Sequence, residues 1–335
     1  MNLTKIITTV DTHTAGEPTR VVTGGIPHIP GKTMGEKKSW IQNNLDHLRK
    51  MLMWEPRGHQ DMFGAIITSP ASKDAHAGVI FMDSRGYLDM CGHGSIGAVT
   101  VLINTGMIPM PHQHKAYLHD VVLDTPAGKI SARALIENNT AKEVTFQNVP
   151  AFFYESVEIQ IPSVGNLSAA ISYGGNFFAL VDAQAIKTKL ELKNIEKLKS
   201  LGLEIRDAVN DAVCIIHPLT GEKKSVDLVE IYQEGNPVKN MVVFGNGQVD
   251  RSPCGTGTCA KMAYLYSKGI LPIGQPYIHA SIIGTTFVGR IVGETVVGEK
   301  KGIIPEITGQ AHITGIHHFV SDEQDPFKNG FSLNL

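Results

Sequence analysis

The sequence predicts an α/β protein of the α+β type, built as two pseudo-symmetric halves in which strands wrap around a central helix. Three observations predict it. First, the chain repeats itself: VIFMDSRGYLDMCGHGSIGAVTVLINTGMIP at 79–109 matches VVFGNGQVDRSPCGTGTCAKMAYLYSKGILP at 242–272. Eight positions are identical, namely Val79/Val242, Phe81/Phe244, Cys91/Cys254, Gly92/Gly255, Gly94/Gly257, Leu102/Leu265, Gly106/Gly269 and Pro109/Pro272. Ordinary residue frequencies give about two. Second, each repeat runs strand, turn, cysteine, helix. Third, most of the remaining chain is β-branched and alternating.

Within each repeat, a β-branched and aromatic run reads as a strand. A Gly-rich turn follows, DSRG in the first and GNGQ in the second. After the cysteine and its glycines comes an apolar helix of roughly three turns. Its start is expected near Ser95 or Thr258, with the hydroxyl as N-cap. Gly106 and Gly269 suit the position just past the helix end, and a proline follows each. Strands are expected in VVLDTPAGKISARALI, KEVTFQNVPAFFY, IHASIIGTTFVGRIVGETVV and EITGQAHITGIHHFV. Residues 188–211 read as a charged amphipathic helix leading into the second half. The division is expected as residues 1–160, carrying Cys91, and 161–335, carrying Cys254, with a final strand free to return to the first half.

Composition bounds the partners. The chain has 335 residues, 42% hydrophobic and 19% charged, with a net charge of −2. That is ample for one or two cores. No basic stripe or long like-charge run is present, which argues against nucleic acid or a membrane surface as partner. The opening MNLTKIITTVDTHTAGEP has neither the apolar run nor the cleavage site of a secretory signal. No apolar span of about 18 residues occurs. The four cysteines, Cys91, Cys214, Cys254 and Cys259, do not form a disulfide framework. A cytoplasmic location with reduced thiols is expected.

Cys91 and Cys254 carry the chemistry. Each is expected at a helix N-terminus, where a thiol's pKa falls and unpaired N–H groups attract anions. The glycines after each let backbone N–H groups approach a ligand closely. Two such helix starts facing one another would form a cleft with carboxylate-binding amides and a thiol on each wall. One thiolate would remove a Cα proton, and the opposing thiol would protonate the other face. Amide donors and exclusion of water would stabilise the carbanion.

The motifs MCGHGSIG and DRSPCGTGT resemble the paired signatures of the proline racemase family, which also holds 4-hydroxyproline 2-epimerases and trans-3-hydroxyproline dehydratases. DTHTAGEPTRVVTGGIP, EPRGHQDMFGA, NVPAF, HP at 217–218, DLVEIY and ITGQAHITGIHHFV extend the resemblance over essentially the whole chain. It implies a fold similar to diaminopimelate epimerase, no pyridoxal phosphate, no metal, and a homodimer. It makes Cys91 and Cys254 the acid/base thiols. It gives Gly92, His93, Gly255 and Thr256 the substrate carboxylate, and Asp250 the ring nitrogen.

Dehydratases of the family usually carry threonine at the second cysteine, so Cys254 argues against dehydration. Phe63 and Phe244 match aromatic residues that wall the ring pocket of proline racemases. An apolar wall favours proline over hydroxyproline, since a buried hydroxyl without a partner costs about 1–3 kcal/mol. The function implied is a cofactor-independent proline racemase, with 4-hydroxyproline 2-epimerase as the alternative and a non-catalytic amino-acid-binding protein as a third reading. Cys259 departs from the serine expected in this family and receives no role.

Each assignment has a plainer competitor. Buried cysteines are common in cores, but the duplicated context favours chemistry. Cys254, Cys259 and His93 do not reproduce zinc-ligand spacing. His93 would otherwise cap its loop, and Asp250 would be a solvated turn residue. Phe63 and Phe244 read equally well as core strand residues, and Phe81 is expected in the core. Cys214 is expected as a buried strand thiol. His217, His317 and His318 read as structural. Neither G-x-x-x-x-G-K-[ST] nor G-x-G-x-x-G directly after a strand is present.

Overall fold

The computed structural model describes residues 3–110 and 115–333. The chain divides into two compact units, residues 1–146 with 310–335, and residues 147–309. The first unit ends at Phe146 rather than at residue 160, because strand Ala151–Ile161 hairpins with Gly165–Tyr173 and belongs with its partner. The segment from Gln310 onward belongs to the first unit, where strand Ala311–Asp322 lies antiparallel to Leu3–Thr14.

In the first unit, Leu3–Thr14 turns back into Glu17–Gly24, which pairs in parallel with Phe63–Thr68. The chain between this parallel pair holds helix α1, Met34–Met53. Phe63–Thr68 lies antiparallel to Ala77–Asp83, which in turn pairs in parallel with Tyr117–Thr125. Between these two runs helix α2, Gly92–Asn104. Parallel neighbours need a crossover, and the helices supply it. Every residue of α2 from Gly92 to Ile103 is buried, as an all-round apolar helix must be. Strands Gly128–Glu137 and Thr140–Gln147 continue the meander.

The second unit repeats this order. Phe177–Asp182 pairs in parallel with Leu228–Gln233 across helix α3, Ile195–Ala212. Val238–Phe244 pairs in parallel with Pro276–Ser281 across helix α4, Gly255–Ser267. Thr286–Val297 and Lys300–Gly309 follow, and Ile303 pairs with Ala151. The ladder of this unit therefore closes on itself, with α4 largely buried. Among the described residues no helix is long and apolar enough to cross a membrane.

Three local expectations are corrected. The helix expected over 188–211 begins at Ile195, after a short 3₁₀ turn at Leu192–Asn194. Helix α1 was not expected, although Thr33 caps its start and Glu36 reaches back to the residue before the cap. The Thr33 hydroxyl accepts the Glu36 N–H at 3.1 Å, and the Glu36 carboxylate accepts the Lys32 N–H at 2.7 Å. Its apolar face, with Met34, Ile41, Leu48 and Leu52, packs into a core shared with Ile66, Ile80 and Met82. Cys214 is exposed rather than buried. It precedes the two-residue strand Ile215–Ile216, where Ile215 turns inward and its neighbours turn out. Phe81 is fully buried, and His217 is ringed by Phe152, Tyr173 and Phe177.

Candidate active site

Both cysteines are themselves the N-caps. Helices α2 and α4 begin at Gly92 and Gly255, so Ser95 and Thr258 lie inside the first turn rather than before it. The Cys91 sulfur accepts the Gly94 N–H at 3.3 Å, and the Cys254 sulfur accepts the Gly257 N–H at 3.4 Å. In each case the thiol takes one of the orphan donors of a helix start. The displaced hydroxyl of Ser95 donates back to the Cys91 carbonyl at 2.7 Å.

Around Cys91 the first unit gathers Gly92, His93 and Phe63. The His93 ring brings Nδ1 to 3.3 Å from the Cys91 sulfur. Its backbone carbonyl accepts the Thr14 hydroxyl at 2.9 Å. The Phe63 ring meets the His93 ring edge-on, with centroids 4.5 Å apart. A β-carbon at Gly94 would meet Phe81 at 3.0 Å and Phe63 at 3.1 Å, so glycine lets the helix start settle on these rings. Burial drives the His93 pKa down to about 3, against the opposing pull of its hydrogen bond to the Pro18 carbonyl. The imidazole is therefore neutral at physiological pH. Such a ring has one donor and one acceptor nitrogen.

Around Cys254 the second unit gathers Asp250, Gly255 and Thr256. The Asp250 carboxylate accepts the Ser252 N–H at 2.8 Å and its hydroxyl at 2.7 Å. The Ser252 oxygen in turn accepts the Cys254 N–H at 3.1 Å. Thr256 brings its hydroxyl to 3.5 Å from the Cys254 sulfur. Phe244 ends its strand opposite Gln248, as Val242 stands opposite Asp250. It is only half-buried.

The electrostatics of this turn correct the sequence reading. A helix start alone lowers a thiol pKa, but burial and then the nearby Asp250 charge push Cys254 well above the usual thiol range. Desolvation of the buried thiol outweighs the lowering bonds from Thr256 and Gly257. Burial also raises the Asp250 carboxyl to about 6, despite its bonds from Ser252. Cys259, fully buried one turn on, is pushed up to about 12 and stays a neutral thiol.

Sequence reasoning missed Ser252, Thr14 and a buried polar group behind α4 made by Glu230, Asn240 and His279. Ser252 was legible as a hydroxyl two residues before Cys254. Glu230 was legible as an acid amid the apolar strand DLVEIY. Thr14 is far from His93 in sequence and carried no signal. Among the described residues, no group of three or more His, Cys, Asp or Glu side chains is placed to hold a metal ion.

The chain is 51% identical to a proline racemase of Acetoanaerobium sticklandii over 99% of this chain and 100% of that one. It is 50% identical to a proline racemase of Clostridioides difficile, again over 99% and 100%. A crystal structure of a hydroxyproline epimerase from Agrobacterium vitis, with trans-4-hydroxy-L-proline bound, superposes with a TM-score of 0.88 at 31% identity. It covers 99% of this chain and 97% of that one. The family model described as "Proline racemase" matches residues 9–332, and the chain belongs to that family.

Proposed function

We propose that this protein interconverts L- and D-proline by two-base proton transfer at Cα, using Cys91 and Cys254 and no cofactor. One observation carries the reading: two cysteines cap two buried helices in duplicated settings, each sulfur already holding a glycine N–H. The thiolate of one cysteine breaks the Cα–H bond and becomes a thiol. The thiol of the other gives its proton to the opposite face and becomes a thiolate. No oxidation occurs, and the roles exchange for the reverse substrate.

The raised Cys254 thiol suits the acid of the direction in which Cys91 is the base. The N–H groups at Gly92, His93, Gly255 and Thr256 suit the substrate carboxylate. Asp250 suits the ring nitrogen. Phe63 and Phe244 suit the walls of the ring site. A cytoplasmic homodimer is part of this reading, supported by the family resemblance. Light scattering at micromolar concentration tests the dimer.

Serine at either Cys91 or Cys254 is expected to abolish racemisation, and the wild type in deuterated water is expected to incorporate deuterium at Cα. Full activity in either variant overturns the mechanism. A second reading, epimerisation of 4-hydroxyproline by the same steps, is favoured by the ligand of the A. vitis structure. Polarimetry with L-proline and trans-4-hydroxy-L-proline side by side separates the two. Higher kcat/KM on the hydroxylated substrate would reverse the preference argued from Phe63 and Phe244.

A further inference from the structure

Cys254 sits at φ +59°, ψ 109°, whereas its repeat partner Cys91 is ordinarily extended at φ −150°, ψ 129°. A positive φ on a residue with a β-carbon costs about 1–3 kcal/mol and persists only where the surroundings over-determine it. Here the restraint is one residue upstream. The Pro253 carbonyl accepts two side-chain donors, Asn240 Nδ2 at 2.7 Å and the Thr258 hydroxyl at 3.2 Å. Behind them stands His279, with Nδ1 at 3.0 Å from the Thr258 oxygen and 3.5 Å from Asn240 Nδ2. Asn240, Thr258 and His279 are all completely buried.

The proton order runs from His279 through Thr258 to Pro253, with Asn240 donating to the same carbonyl rather than to the ring. If the Thr258 hydroxyl donates to Pro253, it accepts from His279 Nδ1–H. The other ring nitrogen, Nε2, then faces Glu230 Oε1 at 3.6 Å, beyond hydrogen-bond distance. Burial keeps His279 neutral, with a pKa near 3, and raises Glu230 to about 7. In the first unit the matching hydroxyl, Ser95, bonds the carbonyl of Cys91 itself, and Cys91 is unstrained.

We propose that Asn240 and Thr258, backed by His279, are positioning residues: they grip the Pro253 carbonyl and thereby hold Cys254 at positive φ with its sulfur on the Gly257 N–H. Without the grip the Pro253–Cys254 peptide turns, Cys254 relaxes toward the conformation of Cys91, and its sulfur leaves the place from which it exchanges protons. The consequence for turnover rests on the racemase reading above; the consequence for the sulfur does not.

The test uses Thr258→Val and Asn240→Leu, near-isosteric changes that each delete one donor, and Thr258→Ser, which keeps the hydroxyl. Two quantities are read: proline racemisation, and site-resolved alkylation of Cys254 and Cys91 by iodoacetamide. T258V and N240L are each expected to lower kcat about 10-fold or more, with KM for proline within about 3-fold, since misplacing one reacting group by about 1 Å costs rate rather than binding. The Cys254 alkylation rate is expected to change about 10-fold while that of Cys91 stays at the wild-type value, and T258S is expected to restore both readouts to within about 3-fold. Wild-type kcat and wild-type Cys254 alkylation in T258V and N240L overturn the proposal. So does equal exposure of both cysteines, which marks general unfolding rather than a role confined to Cys254. A wild type without racemase activity defeats the racemase reading alone, because the alkylation ratio still reports on the grip.

Discussion

The Glu230 carboxylate lies against the backbone of Gly257: a β-carbon at position 257 would stand 2.6 Å from Oε2. The same glycine donates its N–H to the Cys254 sulfur. Its missing side chain thus lets a helix start carry a thiol on one side and a buried acid on the other. Gly257→Ala is expected to destabilise the protein by about 1–3 kcal/mol through overpacking, although alanine is the better helix former. Gly86→Ala, where a β-carbon meets nothing within 4 Å, is the comparison. Urea unfolding of both variants checks this, and a G257A protein as stable as wild type contradicts it.

Ser252 links Asp250 to the Cys254 N–H and favours the ionised carboxylate. Ser252→Ala removes the hydroxyl bond, so the Asp250 pKa rises further above its present value of about 6. Should Asp250 bind the substrate ring nitrogen, the acid limb of the kcat/KM profile moves to higher pH. The pH profile of the variant decides, and an unmoved limb removes Asp250 from that role.

Stability should fall steeply in acid. His93 and His279 have folded pKa values near 3 against 6.5 unfolded. The unfolded chain therefore binds protons first, and the stability these residues contribute is present above pH 6.5 and lost as pH falls toward 3. The slope is about 1.4 kcal/mol per unit for each. Glu230 and Asp250, raised to about 7 and about 6, act in the opposite sense: the folded state takes up their protons first, and stability is lost as pH rises through those values. The two effects oppose one another between about pH 4.5 and 6.5, and below that the histidines act alone. Urea midpoints of wild type and His93→Asn from pH 6.5 to 3.5 test this. The variant should show the shallower acid decline; parallel curves would refute it.

Helix α1 depends on its own first turn. Thr33→Ala deletes the acceptor for the Glu36 N–H and should cost about 1 kcal/mol. Thermal unfolding should show the loss, with racemisation at low temperature unchanged. A variant with unaltered stability would show that tertiary packing of Ile41, Leu48 and Leu52 alone sustains the helix.

The two cysteine turns were legible because their signals are local and occur twice. Gly106 and Gly269 stand at φ +73° and +71° just past their helices, where their glycines marked the stop. Helix α3 was legible from its amphipathic pattern, but its first turn was set by the 3₁₀ segment before it. Helix α1 escaped notice although it is the counterpart of α3, because the internal similarity persists in topology there and not in residues. The caps themselves were misassigned: hydroxyls are the stronger capping groups in isolation, yet the thiols hold the glycine N–H groups and Ser95 and Thr258 turn back to carbonyls.

By itself the sequence determined the duplicated strand–turn–cysteine–helix plan, the positions of both thiols at helix starts, and the family, since each is written in short runs of neighbouring residues. Only the tertiary structure decided what those groups experience. Burial neutralised His93, raised Cys254 and Asp250, and left Cys214 in solvent. It also brought Asn240 and Thr258 onto one proline carbonyl, with His279 behind Thr258. Desolvation and long-range contact depend on what the rest of the chain places around a group, and no local pattern of residues carries that information.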